Sequence, residues 1–280
     1  MTTQPSLVLC ELGKTDIPGL ESYSPFCLKV HRALALAKLT YASRHASNPA
    51  AYAKLNPAKQ VPVLLVDGEP IADSSRIVAK LAELAPGALE RGLDVRAHGE
   101  AFLWEEFADT VLSGFVVAAR WADDDNWAAV SRAYFEGMPW PVRKLVVPRL
   151  RARVVGTLRA RDVTTHGMAE CWARFERTLD ALEARAPSRE SFWLGTDPTF
   201  ADVSLFAQLR SLATPLTPRQ KASIEARARL SAYVARVDSA TRAELAVSAA
   251  HALRGRQAPA MMEPWTRGDK SSADVSSSLA

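Results

Sequence analysis

Asn56-Pro57-Ala58-Lys59-Gln60-Val61-Pro62-Val63-Leu64-Leu65-Val66-Asp67-Gly68-Glu69-Pro70-Ile71-Ala72-Asp73-Ser74 is the stretch on which the fold turns. Val61–Val66 is apolar and β-branched, Asp67-Gly68 is a strong hairpin signal, and Pro70–Ala72 is the returning strand. Asp73 stands in N-cap position before a helix over Ser74–Leu84 with Ile77, Val78 and Leu81 turned inward. Pro62 cannot donate to a ladder, so it marks either a strand start or a cis bond. A cis bond would turn the Val61 N–H and C=O away from their own sheet, free to pair with an extended peptide ligand. An ordinary edge-strand proline explains the segment equally well.

Working outward, Ser6–Cys10 reads as a strand and Glu11–Tyr23 as a long loop carrying Gly13, Pro18 and Gly19. Ser24 caps a helix over Pro25–Lys38, with Pro25 in its first turn. Tyr41–His45 is a second strand and Ala50–Leu55 a short helix. The order βαβ, then αββα, predicts a small α/β domain with a mixed sheet over residues 1–85. Residues 86–94, with Pro86, Gly87 and Gly92, read as a linker. Strand signals then cease. Helical periodicity over Ala97–Trp121, Asn126–Phe135, Val142–Val155, Met168–Ala186, Phe200–Leu212 and Ser223–Val237 predicts an all-helical domain over 95–253. Residues 254–280 are rich in Ser, Pro, Gly and charge and read as a mobile tail.

Composition supports a globular chain: 280 residues are 48% hydrophobic and 24% charged, with a net charge of +4. That charge is too mild to announce a nucleic-acid binder. Cys10, Cys27 and Cys171 are too few and too scattered for a disulfide framework and fit a reducing compartment. The first residues carry no basic leader, and the most apolar stretch, Thr110–Ala119, is too short to span a bilayer. A cytoplasmic protein with no membrane span is the expectation.

Ser24-Pro25-Phe26-Cys27 opens a helix, where unpaired N–H groups and the helix dipole favour an anion. Ser24 reads either as a plain N-cap or as a hydroxyl that donates to a ligand thiolate. Lowering a thiol pKa by two units takes about 2.7 kcal/mol, within reach of one charge-assisted hydrogen bond plus a helix end. Cys27 reads either as a nucleophile activated by that helix start or as a small apolar residue packed beneath the loop. Asp73 and Ser74 read as a cap, or as a receptor for an amino-acid headgroup: Ser74 for the carboxylate, Asp73 for the ammonium.

In their order and spacing these segments resemble the thioredoxin-like N-terminal half of glutathione transferases, and the helical second half agrees. Gly195-x-x-Pro198-Thr199-x-x-Asp202 resembles the capping box of that superfamily. Ser24 through Lys29 after a long first loop, with Met138-Pro139-Trp140-Pro141-Val142-Arg143, looks like the failed-axon-connections and metaxin-like branch. The resemblance implies a thioredoxin-like α/β domain followed by a helical bundle, with glutathione as cosubstrate. Ser24 would hold the glutathione sulfur, Val61 beside Pro62 would pair with the cysteinyl backbone, and Asp73 and Ser74 would meet the γ-glutamyl end. Gln60 or Lys59 would meet the glycine carboxylate. Trp104, Phe107 and Trp121 are expected to line the electrophile pocket, and a homodimer is plausible. Many members carry Glu where this chain has Asp73.

The leading expectation is transfer of the glutathione thiolate to an apolar electrophile. Two alternatives stand beside it: thiol transfer through Cys27, and a non-catalytic interaction protein of the metaxin-like kind. Val142–Arg161 holds seven cationic residues and no acidic ones. It reads as a solvated helix face or as charges that steer an anionic ligand, against the alternative of a patch for an anionic surface, nucleic acid or membrane; no nucleic-acid partner is expected. Cys27 and His31 stand at i, i+4, yet no second ligand pair lies nearby, so no metal is expected.

Overall fold

The computed structural model describes residues 4–187 and 190–242. The expected tail over 254–280, and the helical domain's last residues up to 253, lie outside the described residues.

Four strands form one mixed sheet: β1 (Leu7–Leu12), β2 (Ala42–Ala46), β3 (Val63–Val66) and β4 (Glu69–Ala72), in the order β2-β1-β3-β4. β1 runs parallel to β2 and antiparallel to β3, which is antiparallel to β4. β1 extends past the expected Cys10 because Glu11 and Leu12 pair with His45 and Ala46. Asp67 and Gly68 both take positive φ, 52° and 93°. Only a turn of that hand matches the twist of a two-residue hairpin. Pro70 sits on the edge strand β4, where a missing N–H does not interrupt the sheet.

Side chains alternate across the sheet. Leu7, Leu9 and Leu64 face α1 (Pro25–Leu36) and α2 (Ser74–Leu84), packing on Val30, Leu34, Ile77 and Leu81. Cys10, Val63 and Leu65 face the other way and are covered by Tyr52. The helix expected at Ala50–Leu55 is a single 3₁₀ turn, Pro49–Tyr52. It is held there by the Tyr52 hydroxyl donating to the Arg44 and Glu11 carbonyls.

The expected helix Ala97–Trp121 is one continuous but unevenly wound run. α3 (Val95–Phe107) passes through a π-turn, Ala108–Leu112, into α4 (Ser113–Val117) and a second π-turn, Ala118–Ala122. Hydroxyls serve carbonyls along it: Ser113 donates to the Asp109 carbonyl at 2.6 Å and Thr110 to that of Glu106 at 2.5 Å. A Cβ at Gly114 would meet Val163 Cγ2 at 3.0 Å, so a side chain there would press Val163 aside by a few tenths of an ångström.

α5 (Asp124–Phe135), α6 (Trp140–Ala160) and α7 (Met168–Arg185) follow. α8 (Phe200–Leu212) is buried along its length except at Arg210. The helix expected over Ser223–Val237 is two, α9 (Pro218–Glu225) and α10 (Ala228–Thr241). Extended Arg227 breaks the run, and its guanidinium is drawn to Glu176 and Asp180 of α7. Asp202 fixes the start of α8. Its carboxylate accepts from the Thr199 N–H and hydroxyl, from the Trp193 N–H and from the Tyr233 hydroxyl.

Candidate functional site

Ser24 is the N-cap of α1, and its Oγ accepts from the Cys27 N–H at 3.3 Å. The Ser24 hydroxyl also hydrogen-bonds the Cys27 thiol, as does that of Ser22, and it can turn its proton toward a stronger acceptor such as a ligand thiolate. Loop 56–60 is tied by Asn56, which accepts from the Ala58 N–H and donates to the Gln60 carbonyl. That leaves Lys59 and Gln60 exposed. The Val61-Pro62 bond is cis. Among the described residues, no hydrogen bond engages the Val61 N–H or C=O. Val63 and Ala72 are cross-strand partners. Val61 therefore precedes the ladder at the end where Ser74 follows it. Ser75 Oγ lies 3.1 Å from Lys29 Nζ, which draws the start of α2 against the first turns of α1. Positions 24, 61 and 74 thus share one end of the sheet.

Asp73 takes φ 84°, an uncommon conformation for a residue with a side chain, and one carboxylate oxygen caps the N–H groups of Ser75 and Arg76. Its other oxygen is open. Ser74 is nearly buried beneath it.

Cys27 is fully buried, and burial, with the Glu11 charge behind it, pushes its thiol up to about 12. This corrects its expectation as a catalytic residue: no solvent reaches it, and its proton stays on at neutral pH. It is the small packed residue of the alternative reading. The likeness of Cys27 and His31 to a metal pair also dissolves, because His31 lies between Glu11 at 2.9 Å and Tyr41 at 2.5 Å. Among the described residues, no three His, Cys, Asp or Glu side chains could hold a metal ion.

The three aromatics expected around one electrophile pocket are split. Trp104 and Phe107, with Leu103 and Leu182, line a cavity of about 600 Å³ between α3 and α7. Trp121 belongs elsewhere, with Trp127, Tyr134 and Phe135, and Tyr134 in turn meets Tyr23 at 5.3 Å between ring centres. Trp104 lies roughly 20–25 Å along the helix run from Arg120, at 1.5 Å per residue. Arg120 itself holds the Tyr23 carbonyl, one residue before Ser24. Trp121 and Tyr134 therefore stand at the Ser24 end, and Trp104 and Phe107 do not.

Among the described residues three buried cations, Lys29, Arg32 and Arg120, escaped the sequence reading; Arg32 is paired with Glu21 and Asp238. Lys29 is wholly enclosed between Glu105 at 2.5 Å and Asp109 at 2.6 Å. Burial raises the Asp109 carboxyl pKa, and Lys29 opposes that shift. Arg120 donates to the Tyr23 carbonyl, to Tyr134 Oη at 3.0 Å and to the Ser211 carbonyl at 2.6 Å, with no carboxylate among these partners. The signal available for Lys29 was an i, i+4 acid pair, Glu105 and Asp109, followed by the apolar stretch Val111–Ala119. Nothing local marks Arg120.

The comparisons bear on this geometry. Residues 23–84 match the glutathione S-transferase N-terminal domain model, and residues 165–236 match the C-terminal domain model. The fold is that of the glutathione S-transferases. Together the two matches support the glutathione S-transferase superfamily. The glutathione S-transferase fold recurs in solved structures. A beta-etherase, LigF, from Sphingobium sp. strain SYK-6 superposes with a TM-score of 0.60 at 19% identity, over 89% of this chain and 99% of its own. A possible glutathione S-transferase from Rhodopseudomonas palustris gives 0.55 at 18% identity, over 84% and 94%. A glutathione transferase homologue from Sulfitobacter, solved with bound glutathione, gives 0.51 at 17% identity, over 89% and 98%. No curated protein matches the sequence. The likeness stands at superfamily level; the matches do not single out the metaxin-like branch.

Proposed function

We propose that the protein binds glutathione along the 24–61–74 edge and delivers its thiolate to an apolar electrophile. One observation carries this reading: a helix-capping hydroxyl, an unengaged Val61 backbone and the Ser74 helix start lie at the same end of one sheet. Each meets a different part of the tripeptide. The Ser24 O–H and the α1 N-terminus stabilise the thiolate, and the buried Arg120 charge stands one residue away. Val61 pairs with the cysteinyl N–H and C=O. The Ser74 N–H and hydroxyl take the γ-glutamyl carboxylate, while the open Asp73 oxygen takes its ammonium. Lys59 or Gln60 meets the glycine carboxylate.

The electrophile is placed beside Tyr23, Trp121 and Tyr134. Catalysis then consists of holding an ionised nucleophile next to its target. Residues 1–85 would be the glutathione-binding domain and residues 95–253 the domain that supplies the electrophile pocket. No helix among the described residues is long and apolar enough to cross a membrane.

The test is calorimetric titration with glutathione, followed by conjugation of a model aryl halide. Binding abolished by Ser74→Ala together with Val61→Pro, which removes the pairing N–H, agrees with the reading; wild-type protein that ignores millimolar glutathione defeats it.

A further inference from the structure

We propose that the N-terminal half of α6 is a docking face for anionic lipid bilayers. Trp140 is 63% exposed, Leu145 60%, Val142 46% and Val146 42%. Only Val147 in this half of α6 is buried. At 100° per residue Val142, Leu145, Val146, Arg149 and Arg153 fall on the side away from Val147. One outward surface thus carries aliphatic side chains followed by guanidinium groups.

The charge is one-sided. Residues 137–161 contain no acidic side chain. Of the seven cations, Arg151 alone has a carboxylate partner among the described residues, Asp124 at 2.6 Å. Lys144 lies 5.2 Å over the Trp140 ring, but both stand on the Val147 side of the helix at its first turn, so this exposed pair flanks the outward face and is not part of it. The aliphatics come in the first turns and the guanidinium groups after them, so the separation runs along α6 and not around it; such a surface meets an apolar layer at one end and anionic headgroups at the other. A nucleic-acid backbone would answer the cations and leave Val142, Leu145 and Val146 in water. A second copy laid helix against helix would bring the same cations together. This surface shares no residue with the 24–61–74 edge, so the proposal stands apart from glutathione binding.

The experiment is flotation of the full-length chain with phosphatidylcholine vesicles and with vesicles in which about a third of the lipid is phosphatidylserine. The protein is expected on the anionic vesicles, released by salt, with each of Arg149→Ala and Arg153→Ala weakening partition about fivefold. Leu145→Asp with Val146→Asp should leave the protein in solution with its helical signal intact. Should that pair fail to fold, Arg149→Glu with Arg153→Glu, both exposed, must give the same loss. Equal binding to both vesicles, no binding, or binding kept by these variants overturns the proposal. So does a dimer in sedimentation that the same variants break, which would assign the face to protein.

Discussion

Lys29 Nζ lies 2.6 Å from Asp109 Oδ2, joining α1 to the first π-turn of the long helix run, with the ammonium wholly buried and the carboxylate largely so. Ser75 Oγ is 3.1 Å from the same ammonium, and Glu105 completes the group at 2.5 Å. Three elements that border the proposed glutathione edge are therefore tied at one buried charge. Lys29→Met should destabilise the protein by about 3–5 kcal/mol, because two carboxylates lose their cation in the interior. Urea unfolding measures this. The combined Lys29→Met, Glu105→Gln and Asp109→Asn variant should recover much of the loss, since no buried charge is then left unpaired.

Arg120→Met should act on the chemistry as well as on stability. It leaves the Tyr23 and Ser211 carbonyls without their donor and removes the positive charge held on the carbonyl of the residue before Ser24. The pH profile of conjugation should move to higher pH, the thiolate having lost a stabilising field. Arg120→Lys should fall between. A profile unmoved by Arg120→Met would leave Arg120 a purely structural residue.

How far such groups can be read from sequence differs by kind. The caps at Ser24, Asp73 and Thr199, the Asp67-Gly68 hairpin and the β3 strand are local, and each is legible from the residues that form it. Lys29 and Arg120 are not, because a buried cation is defined by partners remote in the chain: Glu105 and Asp109 for one, the Tyr23 and Ser211 carbonyls for the other. The same holds for the break between α9 and α10. Periodicity runs through Arg227, whereas the break rests on α7: Glu176 and Asp180 take the Arg227 guanidinium, and the Glu183 carboxylate accepts from the Arg229 and Leu230 N–H groups at the start of α10. The aromatic pocket failed for a related reason. Trp104, Phe107 and Trp121 share a helix run, but distance along that run and its two π-turns send them to different surroundings.

That division is itself testable. Trp121→Ala should raise KM for an apolar electrophile about tenfold, near 1.4 kcal/mol of lost contact. Trp104→Ala should leave KM unchanged, although it opens the cavity between α3 and α7 and lowers the melting temperature. Steady-state kinetics with a model aryl halide decide between them.

The thiols offer a pH test. Burial holds Cys27 at about 12 and Cys171 at about 11, each above the ordinary 9.0. A folded-state value raised in this way gives stability that is complete below about 9 and is lost as pH rises toward the folded values, because the unfolded thiols ionise first. Native protein should therefore resist iodoacetamide at pH near 8, on the alkaline side of neutrality. Mass spectrometry should find both residues labelled only after denaturation. Rapid native labelling of Cys27 would restore the thiol-transfer reading.

The central claim is that Ser24 and the start of α1 hold a glutathione thiolate. Ultraviolet titration of the thiolate in the enzyme–glutathione complex tests it most directly. The bound thiol should ionise about two units below an ordinary thiol, and Ser24→Ala should return it at least one unit toward the free value, cutting turnover tenfold or more at neutral pH. A bound thiol that titrates as it does free in water, or one indifferent to Ser24→Ala, would contradict the account.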